Sequence, residues 1–299
     1  MERFISMSKL TKAVTESFES NKDDKLAISV VLTDGRKINL GRTDVASAIG
    51  DLVRLPIFVS LLAQKYDNND GMNSCCKACE CGCKGKSKSK PEIPQNRRGL
   101  RMLSAVEPTN DSDGKYNILY DNIVALSGAA PDMDEKVYKE QVAANQKADI
   151  AHTLAAADYF LFDDTDIAVD VYTRLSSLAM TTEQLAVMGA TVAADGRNPV
   201  NGSNAFDGKI STAVMAVAAA HGGPHHLKKQ WMIKVGLPSV VNECGTIVAM
   251  LPGFGAIAVS DSNVNDDKVS CTAIKTIRDI AAALGLNVYS SARVSVDKD

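Results

Sequence analysis

Five cysteines crowd into nine residues of this chain and form its densest group of metal-binding side chains. They are Cys75, Cys76, Cys79, Cys81 and Cys83. Thiolates spaced as Cys-x-x-Cys and Cys-x-Cys can hold Zn²⁺, Cu(I) or an iron–sulfur cluster, and the neighbouring lysines would stabilise thiolates. No second Cys or His pair follows at zinc-finger spacing. Two interpretations therefore stay open: a site for zinc or another thiophilic metal, and an exposed loop whose thiols bind metal opportunistically or oxidise.

Length and charge exclude several classes of protein. The chain has 299 residues, of which 45% are hydrophobic and 23% are charged, as is typical of a globular protein with a substantial core. A formal net charge of -3 argues against a partner that is nucleic acid or a membrane surface. No signal peptide or membrane-spanning run is evident. We therefore expect a cytoplasmic protein with reduced thiols, in which Cys244 and Cys271 pack in the core.

Strand patterns lie at both ends of the chain, and helical patterns lie between them. Strands are predicted at 26–32, 37–41, 230–236, 246–251 and 256–260. Helices are predicted at 9–20, 44–64, 135–159, 165–178, 182–194, 212–220 and 267–284. The order predicts an α/β (α+β) fold, in which helices flank an antiparallel sheet built from both chain ends and an all-helical domain is inserted. The sheet domain would comprise 1–66 and 227–299. The helical domain would comprise 67–226, with a Cys/Lys-rich insertion at about 67–98.

Local signals indicate where some of these elements begin and end. Thr181, followed three residues later by Gln184, is typical of a helix N-cap. The run 195–199, Asp-Gly-Arg-Asn-Pro, is a strong helix stop. Pro56 inside the 44–64 pattern predicts a kink or a restart of that helix.

Four segments, taken in order and spacing, resemble the serine-dependent glutaminases. They are the helix and turn at 178–202, the motif Val235-Gly236-Leu237-Pro238, the strand pair Leu251-Pro252-Gly253 with 255–259, and the end of the last helix at 281–286. The resemblance covers most of the chain. It implies the fold that this family shares with β-lactamases and penicillin-binding proteins, in agreement with the predicted order of elements.

In that family, a Ser-x-x-Lys motif at the start of a helix supplies the nucleophile and its base. The spacing puts hydroxyl and amine on one helical face; the amine takes the proton, and the serine attacks the side-chain amide of glutamine. Counted without a gap from Asp34-Gly35, the serine position falls on Asp51 and the lysine position on Arg54. Aspartate has no hydroxyl, and a guanidinium cannot act as a base at neutral pH. We expect an i,i+3 ion pair there.

Other catalytic positions of the family are replaced as well. After Val235-Gly236-Leu237-Pro238 the family has Ala-Lys-Ser-Gly, whereas this chain has Ser239 and then Val240-Val241-Asn242. The residue whose backbone would contact the oxyanion falls on Glu243, and a site tyrosine falls on His225. The degenerate positions implied by the resemblance are Asp51, Arg54, His225, Val240 and Glu243. Literal Ser-x-x-Lys strings at 6–9 and 87–90 do not open a buried helix beside a sheet, so neither replaces the motif.

The resemblance also implies four positions that would bind a substrate. A family asparagine falls on Asp121 or the adjacent Asn122, and a glutamate falls on Glu140. An asparagine seven residues later falls on Lys147, and a tyrosine falls on Tyr172. Glu140 and Tyr172 keep the residue type of the family. The glutaminase-like site needs no cofactor.

Three functions follow from these observations, and whether the chain is an enzyme stays open. The first is a glutaminase-like pseudoenzyme that acts as a homo-oligomeric binding or structural module and takes a small amide or amino-acid ligand. The resemblance implies assembly into dimers, tetramers or filaments. The second is an active glutaminase that converts L-glutamine to L-glutamate and ammonia through a rearranged site. The third is a metal- or redox-responsive scaffold that uses the cysteine cluster.

Overall fold

The chain divides into two compact units. The first, here called the sheet unit, comprises Met1–Ser47, Ile123–Pro131 and Met180–Asp299; the second, the helical unit, comprises Ala48–Asn122 and Asp132–Ala179. The computed structural model describes residues 2–65, 97–148, 150, 153–154, 159–224, 227–291 and 293–297.

In the described residues, ten strands and ten α-helices are numbered in chain order. The strands are β1 (Glu2–Ile5), β2 (Ala27–Leu32), β3 (Lys37–Gly41), β4 (Ser47–Ala48), β5 (Asp132–Met133), β6 (Leu178–Met180), β7 (Ser239–Val241), β8 (Thr246–Leu251), β9 (Gly255–Ser260) and β10 (Arg293–Val296). The helices are α1 (Met7–Ser20), α2 (Arg54–Lys65), α3 (Arg97–Ser104), α4 (Ser112–Ser127), α5 (Glu135–Ala148), α6 (Thr165–Ser176), α7 (Thr182–Ala193), α8 (Ser211–His221), α9 (Lys228–Lys234) and α10 (Cys271–Leu284).

The sheet unit is built on a five-stranded antiparallel sheet in the order β3-β2-β9-β8-β7. β2 pairs with β9 from Ala27↔Ser260 to Leu32↔Gly255, which joins the two ends of the chain. All six residues of β2 are buried, as expected for a strand covered on both faces. The predicted sheet made from both chain ends is confirmed. β1 and β10 form a separate parallel pair.

Helix α7 lies against the middle of this sheet and contacts β2, β8 and β9. Gly189 permits the close approach, because a Cβ there would lie 2.7 Å from Val248 Cγ1 and 2.8 Å from Ala256 Cβ. Residues 180–226 therefore belong to the sheet unit. This division differs from the predicted sheet domain at 1–66 and 227–299 and the predicted helical domain at 67–226. Periodicity revealed that 182–194 is a helix, but it could not reveal what the helix packs on.

One predicted strand is a helix. Residues 230–236 were expected to be extended, but 228–234 form α9. The buried Trp231 explains the geometry, since its Nε1 donates to Leu237 O and to Ser239 Oγ, both at 3.1 Å. The expectation that Cys244 and Cys271 pack in the core is also wrong. Both residues are exposed, because they occupy the β7–β8 turn and the first residue of α10.

The helical unit contains α2, α3 and α6, of which α3 packs on both α2 and α6, together with the short antiparallel pairing Asp132↔Ala179 and Met133↔Leu178. The predicted helix at 44–64 begins only at Arg54, after a 3-10 turn at Gly50–Val53. Pro56 lies in its first turn, where the missing N–H breaks no helical hydrogen bond. Among the residues described, no helix combines the length and apolar character needed to cross a membrane.

Candidate functional site

The helical unit brings together Asp51, Arg54 and Tyr172. Asp51 lies in the 3-10 turn, Arg54 begins α2, and Tyr172 lies in α6. The Arg54 guanidinium forms an ion pair with Asp51 Oδ2, and the Tyr172 hydroxyl donates to Asp51 Oδ1 at 2.6 Å. Both carboxylate oxygens of Asp51 are therefore engaged. A carboxylate in this state carries no transferable proton and offers no hydroxyl for acyl transfer.

Local chain geometry sets up the ion pair. The backbone runs directly from the 3-10 turn into α2, so residues three apart share one face. The Asp51 and Arg54 side chains are 12% and 22% exposed. Partial burial strengthens the attraction between the charges relative to a surface pair.

Gly99 in α3 makes room for Tyr172. A Cβ at Gly99 would lie 2.6 to 2.9 Å from ring and hydroxyl atoms of the tyrosine. Any larger side chain would push the hydroxyl away from Asp51. Sequence analysis missed this residue, since a glycine inside a helix gives no signal of the ring that packs on it.

The Arg54 side chain retains an unused donor. Its Nε is buried and has no hydrogen-bond acceptor among the residues that the structure describes. A buried unsatisfied donor costs about 1–3 kcal/mol. The Asp51–Arg54–Tyr172 cluster therefore contains a buried donor that no described residue satisfies.

A second polar contact in the same unit links α4 to α2. Asn122 Nδ2 donates to Ser60 Oγ at 2.6 Å and to Pro56 O at 3.2 Å. Of the two residues on which the family asparagine falls, Asn122 makes these contacts, whereas Asp121 is exposed. Ser60 is buried and has no lysine one turn later in the sequence. Its contact with an amide supplies no base to activate it.

Two further predicted substrate-binding positions lie in α5. Glu140 is an exposed residue of this helix, and the backbone of Lys147 lies near its end. His225 falls outside the described residues.

The segment after Pro238 forms part of the sheet unit. Val240 lies in β7, and Asn242 Oδ1 accepts hydrogen bonds from the backbone N–H groups of Cys244 and Thr246. Asn242 thus closes the β7–β8 turn. The Glu243 side chain pairs with Lys268 at 3.1 Å on the surface. Val240, Asn242 and Glu243 supply neither a hydroxyl nor an amine.

The family model for glutaminases matches residues 13–289. The chain belongs to the glutaminase family. A glutaminase of Bacteroides fragilis is 28% identical over 327 aligned positions, covering 99% of each protein. Among solved structures, the probable glutaminase YbaS has a TM-score of 0.82 at 21% identity and covers 96% of this chain and 100% of its own. A Bacillus subtilis glutaminase, YbgJ, has a TM-score of 0.76 at 19% identity and covers 94% and 99%.

The structural neighbours establish the fold of this family member. Identities of 19–21% bear on architecture alone, and that architecture is the β-lactamase-like fold of the serine-dependent glutaminases. The Bacillus subtilis structure is the covalent complex with 5-oxo-L-norleucine, formed by reaction of that protein with 6-diazo-5-oxo-L-norleucine. The resemblance inferred from the sequence motifs is therefore confirmed at the level of family and fold.

A second charged pair of the helical unit, Lys115 and Asp163, has a different character. Both side chains are fully buried. Lys115 Nζ is paired with Asp163 Oδ2 and donates to Leu103 O and Ser104 O at 3.2 Å. Burial lowers the pKa of Lys115 from its ordinary value, because removal from water disfavours the ammonium. The three acceptors use all three of its N–H donors, so this pair has no free donor for a ligand.

The described residues contain no group of three or more His, Cys, Asp or Glu side chains arranged to hold a metal ion. The predicted metal ligands Cys75, Cys76, Cys79, Cys81 and Cys83 lie outside the described residues. The proposed zinc or other thiophilic metal therefore stays a prediction.

Proposed function

We propose that this member of the glutaminase family does not hydrolyse glutamine and acts as a binding or structural module. The Asp51–Arg54–Tyr172 cluster carries the proposal. At the positions where the sequence count puts nucleophile and base, a carboxylate is held by a guanidinium and a phenol hydroxyl. The absence of both functional groups removes most of the rate enhancement, because a nucleophile and its base act as a unit.

The deciding experiment measures ammonia release from L-glutamine by the full-length chain. The expected rate equals that of a buffer blank. The same protein is incubated with 6-diazo-5-oxo-L-norleucine, the reagent that forms a covalent complex with the Bacillus subtilis relative, and its intact mass is recorded. We expect no added mass. Turnover, or a covalent adduct on any side chain near Asp51, would establish the alternative, an active glutaminase with a rearranged site.

A double variant tests whether the other residues of the site can still support glutamine hydrolysis. Asp51→Ser with Arg54→Lys restores the Ser-x-x-Lys motif in sequence. We expect it to stay inactive, because Val240-Val241-Asn242 stand in place of the family's Lys-Ser-Gly. Ammonia release by this variant would mean that the loss of activity lies in two residues alone.

The unused Nε–H of Arg54 supports binding of a small amide or amino acid. A ligand oxygen at that atom would remove the cost of a buried unpaired donor. Thermal unfolding with L-glutamine and with L-glutamate tests this, since a ligand that binds only the folded state raises the midpoint. We expect a shift that Arg54→Met abolishes and that the surface variant Lys268→Met retains. No shift with either compound would refute a ligand site at Arg54.

Homo-oligomeric assembly into dimers, tetramers or filaments is part of the proposal and rests on the family alone. Sedimentation velocity of the full chain over a range of concentrations tests it. A monomer at all concentrations would remove the structural role from the proposal.

The cysteine cluster at 75–83 supports a second proposal, a metal- or redox-responsive scaffold. Five thiols within nine residues exceed what a linker requires, and such spacing suits thiophilic metals. Elemental analysis of protein purified without added metal would be expected to find zinc or another thiophilic metal. Metal-free protein with five freely titratable thiols in this segment would reject the proposal.

A further inference from the structure

Two phenylalanine rings of the helical unit project into solvent side by side. Phe160 is 60% exposed and Phe162 is 42% exposed. Their ring centroids lie 5.0 Å apart at an interplanar angle of 77°, an edge-to-face pair. Isolated exposed apolar residues need no explanation, but adjacent exposed aromatics are typical of a protein interaction site.

The backbone that carries these rings is fixed at successive residues. Phe162 N donates to the Oγ of the buried Ser104 at 3.1 Å. Asp164 N donates to Asn110 Oδ1, and Asn110 N donates to Asp163 Oδ1, both at 2.8 Å. The rings are thus presented from an ordered segment, which reduces the entropy lost when a partner binds.

The residue directly after Phe162 is Asp163, which forms a buried pair with Lys115. A buried ion pair contributes little net stability compared with apolar residues of the same size. It does hold one geometry, because each charge must meet its partner or remain desolvated and unpaired. Asp163 lies directly after Phe162, so the pair fixes the direction in which the segment faces.

Exposed carboxylates lie on the segments that carry and flank the rings. Segments 104–116 and 159–170 contain five Asp and one Glu besides the buried Asp163, and their single Lys or Arg is the buried Lys115. Arg174 pairs with Asp113 and Asp170, so Asp164 and Asp166 are the carboxylates next to the rings that lie outside that pairing. Asp164 and Asp166 are exposed immediately after the rings, and Asp111 is exposed next to Asn110, which hydrogen-bonds to Asp163 and Asp164. A partner that covers the rings must therefore also meet negative charge.

From this geometry we infer that Phe160 and Phe162, with the carboxylates around them, form a docking surface for a polypeptide segment that places an apolar side chain between lysines or arginines. The apolar side chain packs on the two rings, and the cations pair with Asp164 and Asp166. The aromatic rings supply most of the affinity, and the carboxylates supply the charge selection. The surface shares no residue with the Asp51–Arg54–Tyr172 cluster.

The probe is a fluorescein-labelled amphipathic peptide of leucine and lysine, titrated with the full-length protein and followed by fluorescence anisotropy. We expect saturable binding that weakens as salt rises. Phe160→Ala with Phe162→Ala should weaken it by about tenfold or more, as loss of two anchoring aromatics does. Asp164→Asn with Asp166→Asn should weaken it less and should flatten the dependence on salt.

Three controls make the result decisive. Ile233→Ala removes an apolar side chain that is 77% exposed in the sheet unit and should leave binding unchanged. A leucine/glutamate peptide and a serine/lysine peptide, which lack the charge and the apolar side chain respectively, should not bind. The double phenylalanine variant should unfold at the same midpoint as the parent when followed by circular dichroism, because both rings are exposed.

Two outcomes would overturn the inference. One is an absence of binding by the leucine/lysine peptide, or binding that the phenylalanine variants do not weaken. The other is a change in sedimentation coefficient on Phe160→Ala with Phe162→Ala, because it would mean that a second copy of this chain covers the rings.

Discussion

The helical unit contains two internal charge pairs, and they differ in how completely their polar atoms are used. Lys115 and Asp163 are fully buried, and every N–H of the ammonium has an acceptor. Asp51 and Arg54 are partly exposed, and Arg54 Nε is buried with no acceptor in the described structure. The first arrangement holds segments of the chain in place. The second leaves a buried donor unsatisfied.

Charge and burial alone therefore do not distinguish a structural ion pair from a candidate site. Both pairs would attract attention in a search for unusual ionisable groups. Completeness of hydrogen bonding separates them, because a fully satisfied group has nothing to offer a ligand. On this basis the Lys115–Asp163 pair is structural, and the proposed ligand-binding role belongs to the Asp51–Arg54–Tyr172 cluster.

Of the three substitutions considered, Lys115→Met should reduce the free energy of unfolding most. Removal of one partner leaves the Asp163 carboxylate buried without its cation, and the expected loss is about 3–5 kcal/mol of unfolding free energy. Urea unfolding followed by circular dichroism measures it. Lys115→Met with Asp163→Asn, which removes both charges and keeps an oxygen for Asn110 N, should recover part of the loss. Equal losses in the single and double variants would contradict the assignment of a buried ion pair.

Arg54→Met should have a smaller effect on stability. The expected loss is about 1–3 kcal/mol, because Asp51 keeps its bond to Tyr172 and both side chains of the pair reach solvent. The same denaturation experiment measures it. A loss as large as that of Lys115→Met would mean that the Asp51–Arg54 pair contributes as much to stability as the Lys115–Asp163 pair does.

Tyr172→Phe should have the smallest effect of the three. It removes one hydrogen bond to Asp51 and preserves the ring that packs on Gly99, so the expected loss is about 1 kcal/mol. The exposed pair of Glu243 and Lys268 supplies the control, since Glu243→Gln should change stability by no more than about 0.5 kcal/mol. If Tyr172→Phe changes stability as little as the control does, the Tyr172 hydroxyl does not stabilise the position of the Asp51 carboxylate.

Much of the fold could be predicted from local patterns. The hydrophobic run of β2, the β8–β9 hairpin and the αL glycine after α10 are each specified by residues within or next to the element itself. The capping box of Thr181 and Gln184 is likewise present at the start of α7. The strand predicted at 230–236 failed because a short apolar run suits either a strand or a helix, and the burial of Trp231 decided between them.

The sequence by itself determined the membership of a family and most of the order of the elements, and it predicted the loss of a hydroxyl and an amine at 51 and 54, because these depend on residue identity and on spacing along the chain. Only the tertiary structure decided that Tyr172 completes the contacts of Asp51, that Gly99 makes room for the ring, and that Lys115 is fully satisfied whereas Arg54 is not. Each of these depends on distances between residues far apart in sequence, which packing fixes and periodicity does not encode.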